Sequence, residues 1–159
     1  VQLLLDKGAS VDEKDERGRT ALRMARNSFI KNTELLVLLL VQSGASPPLL
    51  LASLEGDTEV VKQLLDKGAP VDEKGEDGTT ALMWASMAGY TEMVQLLLDK
   101  GATVDEKDAR GFTALLLASH MGHTEVVQLL LDKGAAVDEK EDHGRTALML
   151  ASEYGQTEV

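Results

Sequence analysis

The chain has 159 residues, a formal net charge of −11 and no cysteine. The lack of cysteine excludes disulfides and thiolate metal sites and fits an intracellular, cytoplasmic setting, while the acidic excess argues against a nucleic-acid partner and favours one with a basic patch. The longest unbroken apolar run, 35–41, is too short to cross a bilayer, so we expect no membrane insertion.

A repeated phrase organises the chain from its first residues onward. The letters LLDKGA-x-VDEK occur at 4–14, 64–74, 97–107 and 130–140, and the last three copies are 33 residues apart. A fixed period of this size is typical of a stack of small, similar units. Such a stack builds a long surface, which suits gripping a partner better than running a reaction.

The first half of the unit at 108–140 predicts a turn followed by a short helix. Residues 108–111 read Asp-Ala-Arg-Gly, in which the Asp opens a turn and the Gly accepts a positive φ. Thr113 is a good N-cap for a helix over 114–119. Gly122 is then expected to end that helix.

The second half predicts a longer helix and an extended arm. Thr124 is expected to cap a helix over 125–133, with an acid in its first turn and a base in its last. Gly134 ends this helix, and 137–140 forms an arm that leads into the next turn. The unit is therefore turn, short helix, longer helix and arm.

This pattern resembles the ankyrin repeat. The matching text, complete from Asp108 to Asp138, is D-x-x-G-x-T-A-L-x-x-A-S-x-x-G-x-T-E-x-V-x-L-L-L-x-x-G-A-x-V-D. The resemblance implies an all-α repeat solenoid of stacked helix-turn-helix units with β-hairpin fingers. It also implies a partner surface that combines the finger tips with the face of the first helices.

The chain departs from the family pattern at the tetrapeptide T-P-L-H. It reads TALM at 80–83, TALL at 113–116 and TALM at 146–149, so an apolar residue replaces the His that hydrogen-bonds between units. We therefore expect this stack to depend more on burial and less on that hydrogen-bond ladder. The Asp that opens the turn is also replaced, by Gly75 and by Glu141.

The period fails in the first third of the chain. Gly8 to Gly44 spans 36 residues and Gly44 to Gly68 only 24, and Pro47-Pro48 stands where Thr-Ala or Thr-Pro belongs. Either the chain has lost a finger, or the residues of a disordered finger are missing from the sequence, which we favour because adjacent units have to pack. We divide the single array into units at about 1–14 (partial), 15–46 (irregular), 47–74 (lacking a finger), 75–107, 108–140 and 141–159 (partial).

Neither end has the polar outer face of a capping repeat. We expect the array to belong to a longer protein or to stack end to end on something, and the oligomeric state stays open.

Positions that change between units are free to serve a partner, whereas positions identical in every unit serve the stack. The stripe Leu82, Ala85 and Ser86 is expected to face the stack. Trp84 lies off it, and the apolar residues at equivalent or neighbouring positions can form a seam; the alternative is that these residues only pack. Phe112 stands out because Thr or Arg takes its position in neighbouring units. The predicted partner-binding residues are Glu76, Asp77, Thr79, Trp84, Met87, Arg110, Phe112, Leu117, His120, Met121, His143, Arg145, Leu150 and Tyr154.

The sequence predicts no catalytic or metal site and no cofactor. His120 and His123 are separated by Gly122, which breaks the helix, and His123 matches a structural Gly-His turn of the family. The acidic run 138–142 lacks the order of a calcium loop. The repeated Ser86, Ser119 and Ser152 are better explained by packing than by catalysis.

The sequence therefore predicts a module that binds a protein or peptide and is not an enzyme. One alternative is a structural spacer array inside a multidomain protein. Another is an engineered, consensus-like scaffold, against which the irregular stretch from 29 to 48 argues.

Overall fold

The structure is a computed structural model that describes residues 6, 9–10, 12–17, 20–26, 37–39 and 47–159. The helices whose bounds lie within these residues are, in chain order, α1 (Ala21–Arg26), α2 (Pro48–Leu54), α3 (Thr58–Asp66), α4 (Ala81–Ala88), α5 (Thr91–Asp99), α6 (Ala114–Met121), α7 (Thr124–Asp132) and α8 (Ala147–Glu153). The junction at Ser46 and the irregular residues 29–32, on which the choice between a lost and a missing finger depends, lie outside the described residues.

The short helices begin where the sequence predicts. Thr80, Thr113 and Thr146 accept hydrogen bonds from the backbone N–H groups three residues on, at 3.3, 3.3 and 3.4 Å. Gly122 caps the end of α6 in the left-handed conformation, with a φ of 78°. Helix α6 is two residues longer than predicted.

The predicted start of the longer helix is wrong by one residue. The N-cap of α7 is His123, and Thr124 is already helical, with no side-chain cap. The reason is that the turn at Gly122 brings the His123 carbonyl into line, where it accepts from the N–H of Val127 at 2.9 Å. The helix ends at Asp132, just before Lys133 and Gly134.

The helices form two layers. Helices α2, α4, α6 and α8 pack side by side in an inner layer, and α3, α5 and α7 pack beside one another outside it. The inner helices start at 48, 81, 114 and 147, so α2 already keeps the spacing of 33 residues that fails before it. From residue 47 onward, the described chain is therefore a helical repeat solenoid.

The core runs between the two layers. Leu82, Ala85 and Ser86 are at most 1% exposed, which confirms the predicted stack-facing stripe. Met83 and Leu116, which replace the family's His, are each 1% exposed. Burial thus takes the place of the missing His hydrogen bonds at these positions.

Hydrogen bonds nonetheless join successive helix pairs at other positions. Asp72 accepts from both the N–H and the hydroxyl of Thr103, at 2.9 and 2.6 Å, and Asp105 accepts from the N–H of Ala136 at 3.0 Å. Asp72 and Asp105 therefore each tie their unit to the next one.

The β-hairpin fingers implied by the resemblance are not confirmed, because no strand is assigned within the described ranges. Residues 75–79, 108–112 and 141–145 instead form turns, which we name finger turns. In each, the first N–H donates to the last carbonyl, at 2.9, 3.0 and 3.3 Å respectively. Neighbouring finger turns are linked by the N–H of Ala109, which donates to the backbone carbonyl of Asp77 at 2.8 Å.

Close contacts also join the turns between helices. The ring of His123 lies against Gly89, where an added Cβ would be 2.7 Å from it, and His123 Nε2 donates to the Met87 carbonyl at 3.0 Å. Tyr90 lies against Gly56 in the same way. His123 therefore has the structural role that the sequence predicts. Within the described part of the chain, no helix has the length and apolar content needed to span a membrane.

Candidate protein-binding surface

A groove lies between the finger turns 75–79 and 108–112, over helices α4 and α6. Six of its lining residues are among those predicted to bind a partner: Asp77, Thr79, Trp84, Met87, Arg110 and Leu117. The structure thus brings together residues from two finger turns and two helices that are far apart in sequence. We name this feature the Trp84 groove.

The floor of the Trp84 groove is apolar and fixed by the core. Met83 and Leu117 are 1% and 7% exposed, and Met87 packs against the same buried cluster. Trp84 is partly exposed because it lies off the buried stripe of α4. The groove therefore combines a rigid floor with one aromatic wall that solvent can reach.

The rim of the groove carries charges from both finger turns. Asp77 accepts from the N–H of Thr79 at 3.0 Å, and hydrogen bonds from the side chain and backbone of Thr79 hold the pKa of Asp77 below its ordinary value, helped by the charge of Arg110. Asp77 is therefore ionised at neutral pH. Across the groove, Asp108 is buried and accepts from the N–H groups of Arg110 and Phe112, at 2.9 and 2.8 Å.

Burial explains why an aromatic residue stands at Phe112, a reason that the sequence alone did not supply. Its side chain is 9% exposed and belongs to a buried cluster with Met83, Leu116, Leu117 and Leu150. The guanidinium carbon of Arg110 lies 5.2 Å from the centre of its ring. Phe112 and Leu150, which is 1% exposed, support the surface from beneath.

The last finger turn is held by an ionic network. Glu141 is 3% exposed and accepts from His143 Nδ1 at 2.8 Å and from the N–H and Nε of Arg145 at 3.0 and 3.1 Å. Burial raises the pKa of Glu141, but the hydrogen bonds from Arg145 and His143 outweigh it and lower the pKa to about 2. Arg145 also pairs with Glu153 at 3.1 Å.

The remaining predicted residues lie outside the lining of the Trp84 groove. Glu76 is exposed at its finger turn. The rings of His120 and Tyr154 are 4.2 Å apart, and Tyr154 and Met121 are about half exposed, at 51% and 48%. The single seam drawn from the sequence is therefore a groove at one end and an aromatic pair at the other.

The family comparison agrees with this architecture. The model of ankyrin repeats (3 copies) matches residues 29–108 and 100–159, which is most of the chain. The chain belongs to the ankyrin-repeat family. Ankyrin repeats are in general modules of protein–protein interaction. A search of curated proteins gave no match.

The ankyrin register identifies the two groove residues that the sequence analysis missed. Met83 occupies the position of the family's His, and Asp108 opens the finger turn. From the sequence, Met83 is only an apolar replacement of that His and Asp108 only the residue that opens a turn, so neither is among the predicted partner-binding residues.

The ankyrin array offers no group of metal ligands within the ranges that the structure describes. No three His, Asp or Glu side chains there are grouped so that they could hold an ion. His120 stacks on Tyr154, and His123 is bonded to Met87. Their side chains thus have other contacts.

Proposed function

We propose that this ankyrin-repeat array binds a partner protein or peptide through the Trp84 groove and its finger turns. The observation that carries the proposal is that variable and recurring residues occupy different places in the structure. Residues that vary between units line the groove, while residues that recur are engaged in holding the stack together. A surface made of variable residues over a constant floor is suited to recognition.

The recurring charged residues are engaged between units. Lys74 pairs with Glu106 at 2.5 Å and Lys107 with Glu139 at 2.6 Å, each one unit further on. In the outer layer, Lys100 pairs with Asp66 at 2.6 Å and Lys133 with Asp99 at 2.9 Å. The repeated Asp-Glu-Lys arm therefore supports the stack and leaves recognition to the finger turns.

The partner we propose carries a basic patch and acts inside the cell, in the cytoplasm. Asp77 is exposed at the rim, Glu76 is exposed next to it in the same finger turn, and the whole chain has a formal charge of −11. A field of this sign attracts basic segments and repels nucleic acid. The groove presents a hydrophobic floor beside these carboxylates, which suits a segment with both apolar and basic side chains.

A peptide-display selection against the whole protein, followed by calorimetric titration of the selected peptides, tests the proposal. We expect Trp84→Ala to weaken binding by about tenfold or more, as for a central aromatic anchor, and to leave the helical circular dichroism intact. Gln128→Ala, on the exposed side of α7, is the matched control and should bind like the parent protein. Selected peptides that bind the Trp84→Ala variant as tightly as the parent protein would contradict the proposed surface.

A further inference from the structure

The Trp84 groove lies in the interval between finger turns 75–79 and 108–112, which we call the first interval. The corresponding space one repeat further on, between finger turns 108–112 and 141–145, is the second interval, and there a side chain of the protein itself fills it. Adding 33 residues to Thr79, Met83, Trp84 and Leu117 gives Phe112, Leu116, Leu117 and Leu150. These four residues belong to one buried cluster, in which Phe112 is 9% exposed. In the second interval, the chain therefore packs its own aromatic ring against the residues that correspond to the groove lining.

In the first interval, the same position holds a much smaller side chain. Thr79 stands where the next unit has Phe112, and its hydrogen bonds tie it to Asp77. The ring is therefore missing where Met83, Trp84 and Leu117 line the open groove. We infer that this groove receives an aromatic side chain of the partner, in the place that the ring of Phe112 takes one repeat on.

The charges around the two intervals indicate what accompanies the aromatic side chain. In the filled interval, Arg110 lies over the Phe112 ring at 5.2 Å. The residue equivalent to Arg110 at the open groove is Asp77, an ionised carboxylate. The cation that the chain does supply to this groove, Arg110, lies on the opposite finger turn and pairs with Asp108 at 3.4 Å. We therefore expect the partner to supply a cation to the exposed carboxylate of Asp77. The occupant is a peptide segment with an aromatic residue next to lysine or arginine.

Trp84 favours an aromatic over an aliphatic occupant. It replaces Leu117 of the next unit, so the wall of the open groove is itself aromatic. Aromatic pairs gain attraction from offset or edge-to-face packing in addition to the area that they bury. This inference rests on the proposed function and specifies the side chain that the proposed site takes.

Trp84 is the single tryptophan of the chain, so its fluorescence reports directly on the groove. The probe is N-acetyl-Gly-Lys-Phe-Lys-Gly amide, titrated into the whole protein, with two comparison peptides in which alanine replaces Phe or glutamate replaces both Lys. We expect the first peptide to change the emission and each comparison peptide to bind at least about tenfold more weakly. Equal binding of the alanine peptide would overturn the inference.

A pair of variants separates the filled groove from other causes. Thr79→Phe gives the first interval the residue that the fold already accommodates in the second, and we expect it to reduce binding of the Phe peptide by about tenfold or more. Gln128→Phe adds the same ring on the exposed side of α7, outside the lining of the groove, and it should bind like the parent protein. Thr79→Phe that binds as well as the parent protein would overturn the inference.

The outcomes also distinguish this inference from the proposed function. Peptides from the display selection that need Trp84 but carry no aromatic residue would overturn the inference and leave the proposed function standing. Peptides that bind the Trp84→Ala variant as tightly as the parent protein would overturn both the inference and the proposed function. Should Thr79→Phe lose its helical circular dichroism, the comparison of the Phe and alanine peptides on the parent protein still decides.

Discussion

Equivalent serines of the inner helices differ in their hydrogen bonds. Ser53 donates to the Leu49 carbonyl at 2.8 Å and Ser152 to the Leu148 carbonyl at 2.7 Å. The hydroxyls of Ser86 and Ser119, although buried, have no partner in the described part of the chain. A buried hydroxyl without a partner lowers stability, because water no longer solvates it.

We predict that Ser86→Ala and Ser119→Ala each raise the free energy of unfolding, by about 1 kcal/mol, because they remove this hydroxyl and favour the helix. Urea unfolding followed by circular dichroism measures the change. Ser53→Ala is the matched control: it loses a hydrogen bond, so it should gain less or lose stability. Destabilisation by Ser86→Ala and Ser53→Ala alike would show that the unpaired hydroxyl is not costly.

Glu141 links the stability of the last finger turn to pH. Its pKa in the folded protein is about 2, below its ordinary value of 4.5, so the unfolded chain binds the proton more tightly. The stabilisation is therefore complete above pH 4.5 and is lost as the pH falls toward 2. We predict that Glu141→Gln flattens the acid limb of the stability curve, measured as urea midpoints across this range.

The neighbouring Asp142→Asn is the control for loss of a charge and should leave the acid limb as steep as in the parent protein. An acid limb that is equally steep with and without Glu141 would contradict the assignment.

The contact between successive inter-helix turns is the feature to test at the scale of elements. Gly89 has a φ of 75° and lies under the ring of His123, whereas Gly101 has a φ of 90° with nothing near its missing Cβ. Both glycines hold a left-handed backbone, which costs other residues about 1–2 kcal/mol. Only Gly89 also has to admit a neighbouring ring.

We therefore predict that Gly89→Ala lowers the free energy of unfolding by about 1 kcal/mol more than Gly101→Ala does. Removing the ring with His123→Ala in the same chain should abolish the excess, which a double-mutant cycle of urea unfolding measures. An excess that persists without the ring would place its cause in the backbone.

Much of this element-level structure was predictable from the sequence. The Thr caps and Gly ends of α4 and α6 are local signals, and they gave the helix starts correctly. The start of α7 was missed because Thr124 is a good cap by residue type, while the turn geometry at Gly122 decides the cap. The hairpin fingers came from the family resemblance alone, and turns were found in their place.

At the scale of the whole molecule, the inner layer is covered unequally. Leu115 and Leu116 of α6 are 2% and 1% exposed, whereas their equivalents on α8, Leu148 and Met149, are 74% and 54% exposed. Among the helices that the structure describes, α8 packs against α6, and Leu148 and Met149 are left exposed. In a repeat array, each unit is stabilised mainly by its neighbours, so this difference should appear in local stability.

We predict that the amides of α8 exchange with solvent faster than those of α6. Each 1.4 kcal/mol of lost packing energy should raise the exchange rate by about tenfold. Hydrogen-exchange mass spectrometry of the 159-residue chain compares the two helices, which are similar in sequence. Equal protection of α6 and α8 would mean that the array opens as one unit.

The candidate site could be predicted only in part, for reasons of tertiary packing. Comparing units identified Asp77, Thr79, Trp84 and Arg110, because variation marks what the stack does not need. It could not show that Phe112 is buried, since its cluster joins residues from three helices and a finger turn. Nor could it show that Glu141 keeps the part of Asp108 by bonding to Arg145.

The paired intervals, one open at Thr79 and one filled by Phe112, have a consequence for how such a molecule changes over generations. The two units share their scaffold, whereas the residue that ends the finger turn is Thr79 in one and Phe112 in the other. One substitution at that residue can then create or remove a contact without rebuilding the unit. New specificity can arise in this array while its architecture stays as it is.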